Sequence, residues 1–362
     1  MSSFTSIGVP TETKTDEHRV ALTPDGVVEL VGRGVRVAVQ SGAGTAAGFE
    51  DASYEAVGAD IVADAAQAWS CDLVVKVKEP QAAEFTHLRP DLTLFTYLHL
   101  AAYPEVAEAL TASGCTAFAY ETVTDQRGGL PLLAPMSEIA GRLATQMGAQ
   151  FLAAHHGGRG VLLGGSPGVR PGRVVVIGAG NVGWNAARMA AGLEAEVVVV
   201  DRDLDRLRWV DQVYQGRVTT AAANRGSIAR AVGDADLVVG AVLVAGDRAP
   251  VVVDEEMVAS MRAGSVIVDV AVDQGGCIAT TRETTHSAPT FLAHDVIHYA
   301  VGNMPGAVPH TSTLALTNAT LPYIARLIDA EKPTSDLPDD LLAGLNVSSG
   351  HVVNEIVAST LN

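Results

Sequence analysis

Short runs of β-branched residues recur along the chain, and between them polar residues return every three or four positions. The runs suit strands buried on both faces, and the intervening stretches suit helices with one apolar face. This pattern predicts strands over residues 6–9, 35–39, 73–77, 92–98 and 116–120, with helices over 64–69, 81–88 and 104–111. Another helix starts with Thr23 as N-cap, Pro24 at its first position and Asp25 in its first turn. Strands that alternate with helices imply a parallel sheet covered on both faces.

Residues 136–156 read as one long helix with Ser137 as N-cap, closed by the glycines of 157–168. A second set of strands is expected near 174–177, 196–200, 217–220, 237–243, 265–270 and 296–301. A second long helix follows Pro309, capped by Thr311 or Ser312, then a loop over 333–340 and a final helix over 350–361. The pattern predicts an α/β protein of two Rossmann-like domains with parallel sheets, joined by two long helices, with a cleft between them. The first domain is expected over 1–135, completed by 310–362, and the second over 136–309.

The second domain carries the most specific local signal. Residues 174–201 read as strand, glycine turn, helix and strand, with Gly178, Gly180 and Gly183 in the spacing G-x-G-x-x-G. The first glycine permits a tight turn, the second lets a pyrophosphate approach the backbone, and the third lets the helix pack close to the sheet. The helix that follows offers unpaired N–H groups and a positive dipole end to phosphates. Asp201 closes the second strand 18 residues after Gly183, where a carboxylate can accept hydrogen bonds from a ribose diol. Gly42-Ala43-Gly44 lacks the third glycine and the distant acid, and is not a second fingerprint.

Length and composition narrow the class. A chain of 362 residues with 48% hydrophobic and 18% charged residues is ordered and long enough for two cores. Its net charge of −17 argues against a nucleic-acid partner, which needs clustered basic surface. The three cysteines, Cys71, Cys115 and Cys277, form no C-x-x-C pair and suit reduced thiols. The opening residues have no apolar core of a secretory signal, and no charge-free apolar run has transmembrane length, so a cytoplasmic protein without a membrane partner is expected. Lysine occurs only at positions 14, 76, 78 and 332, so the pair Lys76 and Lys78 marks a place where an ammonium is needed.

Five further residues, at four places, lie at or beside the carboxyl ends of predicted strands, where α/β sheets bind ligands. Arg19 follows the first strand, Lys76 and Lys78 end the run LVVKVK, His99 ends LTLFTYLH, and Asp273 follows SVIVDVAV. An arginine and a lysine there can hold a carboxylate and polarise a carbonyl, and a histidine can exchange the proton that accompanies hydride transfer. Taken singly, each also has a structural reading: a solvated loop arginine, edge-strand lysines, a core histidine, a turn-stabilising aspartate. Their shared location favours the functional reading. No metal site is expected. His294 and His298 sit four apart in a strand-like segment, roughly 13 Å along a strand, and His155-His156 closes a predicted helix.

With these residues in place, the chain resembles the alanine dehydrogenase family, which includes the NAD-binding subunit of transhydrogenase, along nearly its whole length. The blocks that carry the resemblance include GVPTETKTDEHRVALTP, LVVKVKEP, LFTYLHLAA, AYETV, LPLLAPMSEIAGR, VVVIGAGNVG, VIVDVAVDQGG and HYAVGNMPGAVPHTSTLALTNATLPY. The resemblance implies a cytoplasmic homohexamer that reversibly converts L-alanine and NAD into pyruvate, ammonium and NADH. It implies substrate binding by Arg19 and Lys78, and catalysis by His99 and Asp273. For the cofactor it implies Ser137, Gly178, Gly180, Asn181, Val182, Gly183, Asp201, Arg206, Val242, Leu243, Val270, Ala271, Val272, Asp273, Arg282, Val301, Asn303 and Met304. The chain departs from the family at Ala223-Asn224, where serine-asparagine is common, at Gly302, where alanine is usual, and at Tyr103, where smaller or charged residues are familiar. These departures bear on cofactor contacts and substrate breadth. The competing readings are a related amino-acid dehydrogenase with another 2-oxo acid or amine, and a non-catalytic, transhydrogenase-like NAD-binding component.

Overall fold

The computed structural model describes residues 4–242, 249–330 and 336–361. It divides into two units, Met1–Met136 with Val308–Asn362, and Ser137–Ala307. The first unit begins with β1 (Ser6–Val9), α1 (Pro24–Gly32), β2 (Arg36–Gln40), α2 (Asp51–Glu55), β3 (Asp60–Val62), α3 (Ala65–Trp69), β4 (Leu73–Val75), β5 (Thr93–Thr96), α4 (Pro104–Ser113) and β6 (Thr116–Ala119). The chain enters the second unit within α5 (Ala134–Phe151). There follow β7 (Arg173–Ile177), α6 (Asn181–Gly192), β8 (Glu196–Asp201), α7 (Leu204–Tyr214), β9 (Val218–Ala222), α8 (Arg225–Gly233), β10 (Leu237–Gly240), α9 (Glu255–Ala259), β11 (Val266–Asp269), β12 (Thr290–Ala293) and β13 (Val296–Tyr299). The first unit is then completed by α10 (Pro309–Asp329), α11 (Asp339–Leu342), β14 (Leu345–Ser348), β15 (His351–Val352) and α12 (Glu355–Leu361).

The two sheets share a core strand order. The first runs β15-β14-β6-β5-β4-β1-β2-β3, the second β12-β13-β11-β10-β7-β8-β9. Counted from its own first strand, each contains the order 3-2-1-4-5. The first sheet continues with its sixth strand and completes the doubly wound order 3-2-1-4-5-6, whereas in the second that place is taken by its seventh strand, β13, with β12 antiparallel outside it. The β-branched runs fill the central strands, and Val174, Val175 and Val176 are fully buried. Local chemistry sets the helix starts. The Thr23 side chain accepts from the Gly26 N–H, and Asp64 and Gln67 form a reciprocal capping box at α3.

The structure differs from the sequence reading where an edge or a terminus is involved. The sheets are mixed: β14 pairs antiparallel to β6, β15 to β14 and β12 to β13. Segment 350–361 supplies a β-strand before its helix, and segment 81–88 winds as a 3-10 helix (Ala82–His87). The short elements α2 and β3 gave no pattern long enough to detect. Ser137 is not an N-cap, because α5 starts at Ala134 and puts it inside the first turn. Neither Thr311 nor Ser312 caps α10, whose fixed start is Pro309 after Val308. His155 and His156 lie in a separate 3-10 turn beyond the end of α5.

Close backbone packing fixes α3 on the first sheet. A Cβ added to Gly8 in β1 would stand 1.8 Å from the Ala68 carbonyl oxygen, and backbone cannot give way as a side-chain tip can. Gly8→Ala is therefore expected to cost at least about 1–3 kcal/mol. The measurement is the denaturant midpoint of unfolding, and a wild-type midpoint would contradict this packing.

Candidate active site

Each sheet reverses its winding beside its first strand, and the crevice outside the carboxyl ends of the strands there is the favoured ligand position. In the first unit the reversal lies between β1 and β4, which pair through Ile7–Leu73 and Gly8–Val74. The loop after β1 carries Glu12, Lys14, Glu17 and Arg19, and the segment after β4 carries Lys76, Lys78 and Glu79. His99 follows β5, and Glu121 follows β6.

Glu12 spans this switch point. Its carboxylate accepts the Val77 N–H at 2.6 Å and the Lys78 N–H at 3.3 Å, and meets the Lys76 ammonium at 3.1 Å. Glu84 takes the same ammonium at 2.9 Å. Burial disfavours the charge on Lys76, but the two carboxylates outweigh it and hold its pKa above the ordinary lysine value. The strand ends at Val75, so Lys76 and Lys78 are not same-face residues of one strand as their spacing suggested. Lys76 is fully buried in an ion triad. Lys78 has no ion pair among the described residues, and burial, then the charges of Arg19 and Lys14, pull its pKa down.

Arg19 is buried and is gripped by Glu17, with Nε 2.6 Å from Oε1 and Nη2 2.5 Å from Oε2. Such a fork-to-fork pair fixes the plane of the guanidinium. Burial raises the Glu17 pKa, and the charge and hydrogen bonds of Arg19 outweigh that, leaving it at about 2. The loop end is tied to α10 by the Val20 N–H, which donates to Thr313 Oγ1 at 3.2 Å.

His99 stands in the left-handed region at φ 48°, an uncommon conformation for a residue with a Cβ. The Glu121 carboxylate stabilises that turn by accepting the His99 N–H at 2.5 Å and the Leu98 N–H at 3.1 Å. The same carboxylate lies 3.9 Å from His99 Nδ1, and the imidazole stacks on Tyr97 at 5.6 Å. Tyr97 is itself anchored, donating to the Leu132 carbonyl at 2.6 Å. The His99 side chain keeps about a third of its surface exposed. Withdrawal from water, then the charges of Lys78, Lys14 and Arg19, push its pKa down to about 3. The imidazole is therefore neutral at physiological pH, and its surroundings disfavour the protonated form.

The second unit provides the dinucleotide fingerprint in the geometry its sequence requires. Gly178 has φ 104°, and a Cβ there would lie 2.4 Å from the Ala241 carbonyl oxygen across the switch point between β7 and β10. A Cβ on Gly183 would lie 1.7 Å from the Gly178 carbonyl oxygen, so α6 packs on the turn only because that position has no side chain. Above Gly180 the nearest atom to an added Cβ is Arg206 Nη1 at 3.6 Å, leaving the backbone open to a phosphate with a guanidinium beside it. Asn181 and Val182 form the first turn of α6, and the Asp201 carboxylate sits at the end of β8. It accepts the Ala179 N–H at 2.5 Å and the Asp203 N–H at 2.8 Å. These residues fit a bound dinucleotide.

The remaining expected contacts lie at the carboxyl side of the same sheet. Val242 follows β10, and Leu243 lies outside the described residues. Val270, Ala271 and Val272 follow β11, held by buried Asp269, which accepts the N–H groups of Ala271, Cys277 and Ile278. Asp273 lies in a 3-10 turn and accepts the Asn303 N–H at 3.3 Å, joining its turn to the segment Val301 to Met304. A Cβ on Gly302 would lie 2.2 Å from a Glu283 carboxylate oxygen and 3.0 Å from Asp273 Oδ1, so glycine leaves room here for two carboxylates. Arg282 is turned onto Phe291, with its guanidinium 4.4 Å from the ring centre. His294 pairs with Glu255, and His298 bonds Thr280 and the Val296 carbonyl. Among the described residues no group of three or more His, Cys, Asp or Glu is arranged to hold a metal.

Sequence reasoning missed the carboxylates that organise the site. Glu12 and Glu17 were visible only as members of a polar loop, and Glu121 only as part of AYETV. Their signal is the company they keep: acids placed near the few cations and the histidine of an acidic chain.

Comparison with known proteins agrees with the fold. The family description "Alanine dehydrogenase/PNT, N-terminal domain" matches residues 8–140, and "Alanine dehydrogenase/PNT, C-terminal domain" matches residues 144–355. Alanine dehydrogenase of Bacillus subtilis is 54% identical over 358 residues, 98% of this chain and 94% of the relative. That of Mycolicibacterium smegmatis is 52% identical over 98% of this chain and 96% of its own. A solved L-alanine dehydrogenase superposes with a TM-score of 0.95 at 50% identity, covering 98% of each chain. A transhydrogenase from Sinorhizobium meliloti shares the fold, with a TM-score of 0.84 at 24% identity over 97% of this chain and 99% of its own.

The depressed pKa of His99 makes a stability prediction. The unfolded imidazole titrates near 6.5 and the folded one near 3, so the unfolded state alone takes up a proton between those values. His99 therefore withdraws stability as pH falls from 6.5 towards 3, with a slope of at most about 1.4 kcal/mol per pH unit. Glu17 adds its own loss only between about 4.5 and 2. The pH dependence of unfolding in His99→Gln should be flatter than wild type from pH 6.5 to 4.5, and parallel curves would contradict the assignment.

Proposed function

The chain belongs to the alanine dehydrogenase/PNT family, and on that premise we propose that it is an NAD-dependent L-alanine dehydrogenase, interconverting L-alanine with pyruvate and ammonium. The observation that carries this reading is the grouping of Arg19, Lys78 and His99 beyond the carboxyl ends of the neighbouring strands β1, β4 and β5. Arg19, held rigid by Glu17, receives the substrate carboxylate. Lys78, whose ammonium has no counter-ion among the described residues, holds that carboxylate and polarises the carbonyl or imine as negative charge develops on it. Neutral His99 takes a proton in the deamination direction and returns it in the reverse direction, through the carbinolamine and iminium steps. Asp273, fixed against the Asn303 N–H, orients the water or ammonia that adds to the substrate.

Bound NAD supplies the hydride acceptor. The Gly178–Gly183 turn and Arg206 would hold its pyrophosphate, and Asp201 its adenosine ribose. Ser137, Val242, Leu243, Val270 to Asp273, Arg282 and Val301 to Met304 would complete the contacts. Asp201 disfavours a 2′-phosphate by charge, while exposed Arg202 beside it acts in the opposite sense. Asp201 prevails because it is buried and its carboxylate is fixed by two backbone N–H groups.

Steady-state assay of alanine-dependent NADH formation tests the reading. NAD should exceed NADP in kcat/KM by at least about tenfold, and a preference for NADP would overturn the cofactor assignment. His99→Asn should lower kcat by about 10²–10⁴-fold with alanine KM changed only a few-fold. Binding of NAD without turnover of alanine would instead identify a non-catalytic component.

A further inference from the structure

Lys14 stands between two cavities of the first unit. One, of about 210 Å³, it lines with Arg19, Glu17 and Glu12; the other, of about 220 Å³, it lines with Glu79, Tyr103, Phe85, Ala82 and Val106. Among the described residues, Lys14 is the one that borders both. Its ammonium is pinned from two sides, 2.5 Å from Glu79 Oε1 and 3.1 Å from the Tyr103 hydroxyl, and lies 4.6 Å over the Tyr103 ring. Both partners are fixed in turn. Buried Glu79 also accepts from the Gln81 amide at 3.1 Å, and the Tyr103 N–H donates to the His99 carbonyl at 3.2 Å. Tyr103 is thus attached to the turn that presents the imidazole, and Lys14 is among the cations that act on both His99 and Lys78.

The two cavities differ in chemistry. The first is lined by Arg19, Glu17 and Glu12, whereas Pro80, Ala82, Phe85 and Val106 give the second, which Glu79 and Glu105 also line, an apolar wall suited to an aliphatic chain. We propose that Lys14, pinned by Glu79 and Tyr103, is the wall that closes the substrate-anchoring charges off from this apolar-walled cavity and restricts the 2-oxo acid to a short side chain. Drawing Lys14 back opens the second cavity to the longer side chains of four- and five-carbon acids. The inference rests on the alanine dehydrogenase reading and adds to it the residue that sets side-chain length.

The test is reductive amination of pyruvate, 2-oxobutyrate and 2-oxovalerate at saturating ammonium and NADH. The variants are Tyr103→Ala, which removes one pin at a half-buried position, and the double variant Lys14→Ala with Glu79→Gln, which leaves no unpaired buried carboxylate. Wild-type turnover of pyruvate is the control, and its absence would defeat the activity reading itself. With the control satisfied, the kcat/KM ratio of 2-oxovalerate to pyruvate should rise at least tenfold in both variants, since each accommodated methylene is worth about 10–200-fold. An unchanged ratio in either variant overturns the proposal. So does loss of activity on every acid by variants with wild-type circular dichroism, because Lys14 would then serve the reaction and not its selectivity.

Discussion

The first unit depends on one carboxylate reaching across a topological reversal. Glu12 leaves the loop after β1 and binds the backbone N–H groups of Val77 and Lys78 after β4, while its charge is balanced by Lys76. Two buried charges and two backbone donors are satisfied together, which a buried ion needs if it is not to destabilise the fold. Glu84 adds a second negative charge against one ammonium, and burial raises the pKa of Glu12 even though Lys76 and the Val77 N–H oppose the rise. The cluster is therefore a geometric clamp more than a source of stability. Its effect is to fix where the backbone of Lys78 lies while leaving the Lys78 ammonium without a carboxylate of its own.

The two sheets share the order 3-2-1-4-5 and present different chemistry at the carboxyl ends of their strands. In the second unit the switch point is lined by backbone: a glycine turn, the N-terminus of α6 and the open space above Gly180. In the first unit the corresponding loop after β1 is longer, and side-chain cations replace the helix N-terminus. Backbone donors suit a diphosphate whose position is fixed by the fold. Side-chain donors suit a small carboxylate next to a reacting carbon, because their charge and proton affinity can be adjusted by neighbours.

Much of this was legible in the sequence because it depends on local rules. The fingerprint from Gly178 to Asp201 declared its strand, turn and helix, since each glycine answers a steric demand that the structure shows as a contact of an absent Cβ. The central strands were legible for the same reason, being continuous β-branched runs. The antiparallel strands β12, β14 and β15 were not, because they are two to four residues long and lie at or next to sheet edges, where pairing is decided by the rest of the fold. The cap positions at Ser137 and Thr311 misled because a proline fixed the start of α10 and the segment before Ser137 already wound into α5. At the site, spacing alone could not separate Lys76 from Lys78. Their difference arises from Glu12 and Glu84, residues 64 and 8 positions from Lys76 in the chain.

That difference also explains why a chain that otherwise prefers arginine keeps three of its four lysines at this one place. A guanidinium remains charged at any accessible pH and carries a broad planar fork, which suits Arg19 facing Glu17. An ammonium is a compact charge whose pKa moves with its surroundings. Lys76 is moved upward by two carboxylates, and Lys78 is moved downward by burial and by its cationic neighbours. Arginine at 76 would not fit between Glu12 and Glu84 as a point charge. Arginine at 78 would remove the adjustable cation from beside a neutral imidazole. The excess of acid over the whole chain does not reach this pocket, because Glu12, Glu17 and Glu79 are each already committed to a cation. The positive charge left over among the described residues here is that of Lys78, set by the local pairing and not by the net charge of the protein.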